Sequence, residues 1–214
     1  MNKKELVESH YFMSAVYTTE VPEYLDSLRK VSKEYLTQSK KQVTMNKIYP
    51  VMMSPNFVQD ERVKPFVQLI EQTSLGIMIN QGYDMSSFDM LCHEVWAQEH
   101  HQFSGQEEHI HPNCQISGFY FLDVPKDSSR VVFHDGNQAK KMIALPESNM
   151  NNATYASTMI NYEPKPGMMM FTNSWLSHSF LKNSSKKPFT FIHFNVTLMY
   201  KQGSLEHTGS AEVI

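Results

Sequence analysis

The second half of the chain is a succession of strand-like runs, and this feature limits the fold more than any other. From Phe88 onward, β-branched and aromatic residues are concentrated in runs that Pro, Gly, Asn, Asp and Ser separate. The six runs are MLCHEVWAQEHH, CQISGFYFLDV, SRVVFHDG, TMINYEPKPG, GMMMFTNSW and PFTFIHFNVTLMY. This many strands within about 110 residues predicts a β-sandwich or a barrel.

The first part of the chain is predicted to be mainly helical. From Pro22 to about Gln42 the apolar residues recur at spacings of three, four and seven, which is typical of an amphipathic helix. A second helix is predicted from Asp60 to about Glu71, and a further short helical stretch around residues 73–80. Helices followed by antiparallel strands indicate an α+β fold, mainly β, in which the helices brace the outside of the β core.

The length of 214 residues suits a single domain, 1–214. Within it we expect a helical supporting region at 1–87, a β core at 88–200 and a tail at 201–214. Residues 136–155 interrupt the strands with polar side chains and are interpreted as a long insert.

Composition excludes several classes of protein. Hydrophobic residues make up 41% and charged residues 19%, and no stretch reaches the roughly 18 apolar residues of a membrane span. A formal charge of −3 does not favour a general nucleic-acid binder. The N-terminus has no apolar run of signal-peptide length, and Cys92 and Cys114 fit a reducing compartment. We therefore expect a cytoplasmic protein.

Two histidines separated by one residue form the main candidate for chemistry. On a strand, His109 and His111 point to the same face and can present two imidazoles to one ion. Pro112 cannot donate to a strand ladder and Pro-Asn favours a turn, so the strand is predicted to end at His111. A catalytic metal site usually has three protein ligands, and His178, which follows another apolar strand, is the best third candidate.

The other histidines have a plainer interpretation, because a lone histidine is more often a surface or packed residue than a ligand. His100 and His101 are adjacent, point to opposite faces of a strand and are predicted to be surface residues. His93 and His134 are treated in the same way.

Several blocks between residues 88 and 198, in this order and at these separations, match a known pattern. They are His109-Ile-His-Pro-Asn-Cys-Gln-Ile-Ser-Gly-Phe-Tyr-Phe-Leu122, Pro166-Gly167, Ser174-Trp-Leu-Ser-His178 and Phe194-Asn195. With them the chain resembles the 2-oxoglutarate and Fe(II)-dependent oxygenases, specifically the group with His-x-His-Pro-Asn that is common in bacteria and marine phages.

The resemblance implies a double-stranded β-helix, a jelly-roll or cupin-like barrel with an iron site at its open end. It also implies the cofactor Fe(II), the cosubstrate 2-oxoglutarate and O2. The implied reaction hydroxylates a substrate C–H bond and releases succinate and CO2. A bacterium, or a host cell infected by a phage, is the implied setting.

The metal ligands depart from the wider superfamily, which uses His-x-Asp/Glu and a distal His. Here His111 fills the carboxylate position, as in the close family, so the expected ligands are His109, His111 and His178. Three neutral imidazoles leave more positive charge on the metal and favour anionic ligands. The alternative is that Asn113 supplies an oxygen in place of His109.

A second departure concerns the cosubstrate. The family suggests an Arg on the last strand, a few residues before Phe-Asn, but this sequence has Phe189 there. Lys187, nine residues after His178, is the expected substitute, and Arg130 is the alternative. The residues expected to complete this pocket are Tyr120, whose alternative role is that of a core aromatic, and Asn195 with His193, which share the strand face of Lys187.

Two rival functions stay open. One is a cupin-like metalloenzyme with a three-histidine site that does not use 2-oxoglutarate, and the other is a non-catalytic β-barrel binding module. The expected partner is a small-molecule or peptide substrate, without a strong nucleic-acid signal or a membrane, and a homodimer is an open alternative to a monomer.

Overall fold

Two antiparallel sheets face each other in the computed structural model, which describes residues 7–10, 12–142 and 145–201. The strands are β1 Val16–Glu20, β2 Val51–Met53, β3 Phe88–His100, β4 Gln106–His109, β5 Ile116–Asp123, β6 Val131–His134, β7 Met159–Tyr162, β8 Met168–Asn173, β9 His178–Phe180 and β10 Phe189–Tyr200. The larger sheet has the order β1-β8-β5-β10-β3-β2 and the smaller β4-β9-β6-β7. The fold predicted from the strand-like runs is confirmed.

Side chains along a strand point alternately to the inside of the barrel and to its outer face. In β10, Phe189 and Phe191 join an aromatic cluster between the sheets, whereas Ile192 and Phe194 join a second core beneath the helices. The first cluster consists of Phe119, Phe121, Val131, Phe133, Met170, Leu176, Phe180, Phe189 and Phe191. The space between the two sheets is thus filled mainly with aromatic side chains.

The first helix, α1, spans Leu25–Gln42 and confirms the prediction. Pro22 begins a short 3-10 turn before it, and Lys40 and Lys41 lie in its last turn, where cations interact favourably with the helix dipole. Its stripe of Leu28, Val31 and Leu36 is buried against the larger sheet.

The second helix, α2, spans Lys64–Asn80 without interruption, so the predicted end near Glu71 is wrong. The polar residues after Ile70 do not break it, because Ser74 falls on the same buried stripe as Ile70 and Ile77. No helix within the described residues is long and apolar enough to cross a membrane.

The prediction that His100 is a surface residue is also wrong. His100 is fully buried, with its ring 5.2 Å from that of Phe191 and 5.5 Å from that of Phe180. Its Nε2 lies 3.0 Å from the side-chain oxygen of Gln98, which is buried as well. The inward face of β3 therefore carries polar groups into the aromatic interior, which alternation alone does not indicate.

Candidate metal centre

The end of β4 positions the histidine pair. His109 is opposite His178 in the pairing of β4 with β9. The strand was predicted to end at His111, but it ends at His109. The backbone N–H of His111 instead donates to the carbonyl of Ser174, at 3.0 Å. Asn113 follows in the turn with a φ of +62°, a conformation that Asn tolerates better than most residues.

Three imidazoles meet at this end of the barrel. One ring nitrogen from each of His109, His111 and His178 lies within 4.8 Å of the others. The Nε2 atoms of His111 and His178 are 3.2 Å apart. Two nitrogens bound to one ion at about 2.1 Å and at angles of 90–110° are separated by roughly 3.0–3.4 Å, so this pair has the spacing of two metal ligands.

In two of these rings, one nitrogen is hydrogen-bonded to the backbone and the other is free to bind an ion. Nδ1 of His109 lies 2.7 Å from the carbonyl oxygen of Glu107, and Nδ1 of His178 lies 3.3 Å from that of Leu176. A carbonyl only accepts, so each Nδ1 donates and each Nε2 keeps its lone pair. Metal-binding histidines are commonly fixed by such a bond from the other ring nitrogen.

Burial favours the neutral, ligating form of the rings. It lowers the pKa of His178 to about 3 and that of His111 to about 4, and in both cases neighbouring histidines add to the effect. Neutral imidazole is the form that binds metals, so at neutral pH no proton has to leave these two rings. The donor set therefore fits a divalent transition metal such as Fe(II).

A fourth histidine lies against this cluster. His193 is buried, and its Nε2 lies 3.1 Å from Nε2 of His111 and 3.2 Å from Oγ of Ser117. Its ring stacks on Trp96 with the centroids 4.2 Å apart. In the sequence only its strand parity pointed to the pocket. Asn195, two residues further along, donates to the carboxylate of Glu94 at 2.7 Å.

The structure does not bring the other predicted residues to the cluster. Tyr120 faces the helices, where its hydroxyl donates to the carbonyl of Val21 at 2.9 Å and burial raises its pKa to about 12. It is a core aromatic, the alternative role, because Phe119 takes the inward position in β5. Asn113 is exposed in its turn.

Neither predicted basic residue points into the barrel. Lys187 is exposed and lines a groove with Arg29 and Asp123 on the helix-bearing side. It precedes Pro188 and the first residue of β10, so the strand parity used to place it does not extend that far. Arg130 is exposed and donates to the side chains of Asn161 and Glu163.

A groove of about 770 Å³ borders the histidine cluster. It follows β4, because the consecutive residues 106–109 line it and His109 is one of them. Tyr49, Phe103, Phe180 and Lys182 form its other walls. Nothing in the sequence marked Lys182, since it lies outside the motif blocks and beside no other charged residue.

Comparison with known proteins shows a family resemblance over part of the chain, and it shows the fold. Residues 94–195 match the family model described as "Putative 2OG-Fe(II) oxygenase". No curated protein matches the sequence. Similar solved structures are those of a prolyl-4-hydroxylase from Pseudomonas putida, the carbocyclase SnoK from nogalamycin biosynthesis, and AviO1 from Streptomyces viridochromogenes Tue57.

These likenesses concern the fold. The prolyl-4-hydroxylase is 12% identical, with 86% of this chain and 92% of its own covered and a TM-score of 0.55. SnoK is 11% identical, with coverages of 92% and 88% and a TM-score of 0.60. AviO1 is 10% identical, with coverages of 89% and 91% and a TM-score of 0.60. The shared fold is the double-stranded β-helix, as expected. Over residues 94–195, the chain resembles the 2OG-Fe(II) oxygenase family, as expected from the sequence.

Proposed function

We propose that the protein is a non-haem Fe(II) and 2-oxoglutarate-dependent dioxygenase that hydroxylates a C–H bond of a small-molecule or peptide substrate. The observation that carries the proposal is the meeting of His109, His111 and His178, with ring nitrogens within 4.8 Å, beside the end of β4. The family model supports the use of Fe(II) and 2-oxoglutarate.

Each residue then has a defined task. His109 and His178 hold the ion through Nε2, because their Nδ1 atoms are bonded to backbone carbonyls. His111 supplies the third nitrogen in place of a carboxylate. When bound, Fe(II) with 2-oxoglutarate and O2 supplies the oxidising chemistry, which yields succinate and CO2. Phe119 and Phe133, in contact with the His178 ring, keep water from the inner side of the site.

The test is iron-dependent release of succinate. Protein loaded with Fe(II) under anaerobic conditions should release succinate from 2-oxoglutarate once O2 is admitted. His109→Ala and His178→Ala should each lower bound iron and abolish the release, since two ligands hold the ion poorly.

His101→Ala is the matched control, because its Nε2 contacts Glu99 and it is absent from the cluster. It should retain iron and activity. If both cluster variants keep wild-type iron content, the three-histidine site is wrong.

One observation favours a second candidate, the cupin-like metalloenzyme that does not use 2-oxoglutarate. Phe189, at the position where the family suggests a basic residue, is fully buried among Phe121, Phe180 and Phe191. An anionic carboxylate in that aromatic surrounding would lose its hydration without compensation. Iron-loaded protein that binds the metal but neither binds nor consumes 2-oxoglutarate would support this candidate.

A further inference from the structure

The strand that carries His109 is irregularly paired. In the smaller sheet as described, β4 is an edge strand whose neighbour is β9. The paired part of β4 takes three steps, from Gln106 to His109, whereas β9 takes two, from Phe180 to His178. β4 therefore contains one extra residue, a β-bulge, and the backbone ladder is interrupted directly before His109. Contacts other than this ladder have to fix the position of His109 relative to His178.

The bulge itself orients the His109 ring. The carbonyl of Glu107, inside the bulge, accepts a hydrogen bond from Nδ1 of His109 at 2.7 Å. Bulges next to active sites commonly re-aim a side chain in this way. This bond is local to β4, so it sets the direction of the ring but does not tie the strand to its neighbours.

The side chain of Glu108 ties β4 to the rest of the sheet. Its Oε1 accepts a hydrogen bond from Oγ of Ser177 at 2.7 Å, and its Oε2 lies 3.6 Å from Nδ1 of His134. A hydrogen bond to a carboxylate is roughly twice as strong as one between neutral groups. Glu108 immediately precedes His109, and Ser177 immediately precedes His178. The bond therefore joins the two segments directly beside two of the expected metal ligands.

His134 extends this connection to β6. Its backbone N–H donates to the carbonyl of Ser177 at 3.0 Å, and its Nε2 lies 2.8 Å from Oγ of Ser179. Ser177 and Ser179 flank His178 in the chain. By alternation with Phe133 and His178, whose rings contact each other on the inner side, His134 and Ser179 lie on the outer face of the sheet. The three strands are thus linked from behind the histidine cluster.

We propose that Glu108 is a positioning residue of the metal centre. Its carboxylate fastens the bulged end of β4 to Ser177 and His134, and so fixes the separation of His109 from His178. The inference rests on the proposed function only through the metal site. Glu108 does not contact the ion in this role, since it acts through the strand that carries His109.

The test measures the Ni(II) affinity of full-length protein in competition with a chelator. Glu108→Ala should weaken Ni(II) binding roughly tenfold, within the usual effect of outer contacts on metal affinity. Glu108→Gln removes the charge but keeps an oxygen that accepts from Ser177, so it should retain most of the wild-type affinity. An equal loss in both variants would mean that the charge of Glu108 attracts the ion, and the positioning role would be wrong.

Ser177→Ala removes the same bond from the other side, and it decides the matter if Glu108→Ala does not fold. It should weaken Ni(II) binding by a similar factor. The double variant should lose no more than either single variant, because both changes remove one interaction. Fully additive losses, or unchanged affinity in Ser177→Ala, overturn the inference while the proposed function stands.

Glu163→Ala is the matched control. This carboxylate accepts a hydrogen bond from Arg130 at 2.9 Å, beside the opposite end of β6 from His134. The substitution removes one negative charge from the smaller sheet without touching the bulge, so Ni(II) affinity should not change. A loss as large as that of Glu108→Ala would also overturn the inference. If wild-type protein does not bind Ni(II), the metal site of the proposed function itself fails.

Discussion

His193 packs against the candidate metal site without being among its expected ligands. Its ring is fixed between Trp96 on one side and Phe119, with an edge-to-face contact at 5.1 Å, on the other. Its Nε2 then meets Nε2 of His111 at 3.1 Å. His111 is the proposed ligand in the place of a carboxylate, and it is partly exposed, so its orientation depends on such a neighbour.

We expect His193→Phe to weaken Ni(II) binding roughly ten- to a hundredfold, because outer contacts that orient a ligand contribute about this much to affinity. A competition titration against a chelator of known affinity measures the change. His101→Phe is the control, since His101 contacts Glu99 instead of the cluster. Unchanged Ni(II) affinity in a folded His193→Phe protein would show that the ring only fills space.

At the scale of elements, the facing of a strand could be predicted where polar and apolar residues alternate or where a motif marks it. It could not be predicted where both faces of the strand are buried. Every residue from Ile116 to Leu122 is buried, so the sequence alone does not say whether Phe119 or Tyr120 points inward. The clustering of His109, His111 and His178 could be predicted because their spacing and the family blocks do not depend on that choice. Lys187 was misplaced because the parity of β10 was extended across Pro188 into a loop.

Pairings between strands that are distant in the chain could not be predicted from the sequence either. β1 pairs with β8 over residues 16–20 and 168–172, and no local pattern indicates which strand an edge segment joins. In the same way, only the pairing of β4 with β9 shows that His109 lies directly opposite His178.

The central strand β5 has a position that only glycine fits. A Cβ on Gly118 would lie 2.3 Å from the carbonyl oxygen of Met170 in β8 and 2.3 Å from the Phe194 ring in β10. The backbone of a paired strand cannot move away without breaking its ladder, so overpacking results. We expect Gly118→Ala to lower the free energy of unfolding by about 1–3 kcal/mol in urea denaturation.

Gly76→Ala is the matched control. Gly76 lies in α2, where a Cβ would meet nothing within 4 Å. Alanine is favoured over glycine in a helix, so this change should stabilise the protein by about 0.5–1 kcal/mol. Equal effects of the two substitutions would mean that β5 is not packed as tightly as described.

At the scale of the whole molecule, the barrel has a polar end that holds the histidine cluster and an interior of aromatic rings. His100, paired with Gln98, brings polar groups into that interior. It is surrounded by Phe180, Phe189 and Phe191, and burial, with a smaller effect of His101, lowers its pKa to about 3. The fold therefore keeps a neutral imidazole outside the histidine cluster, and this makes global stability depend on pH.

The sign follows from proton binding. An unfolded histidine has a pKa of about 6.5, so below that pH the unfolded chain binds a proton that folded His100 does not. Stability should therefore be constant above about pH 6.5 and fall as the pH decreases toward 3, with a loss of about 2 kcal/mol at pH 5 from this residue. His111 and His178, with pKa values of about 4 and 3, add losses of the same sign in metal-free protein.

His100→Phe isolates the share of His100, because the substitution keeps an aromatic ring in an aromatic surrounding and removes the titration. Urea denaturation of metal-free protein at pH 7 and pH 5 gives the difference in the free energy of unfolding for each protein. That difference should be about 2 kcal/mol smaller in the variant than in the wild type. The variant is expected to be less stable at both pH values, because Gln98 loses its partner, but this offset cancels in the difference. Parallel pH profiles for the two proteins would show that His100 gains its proton without unfolding, and hence that the interior of the barrel admits water.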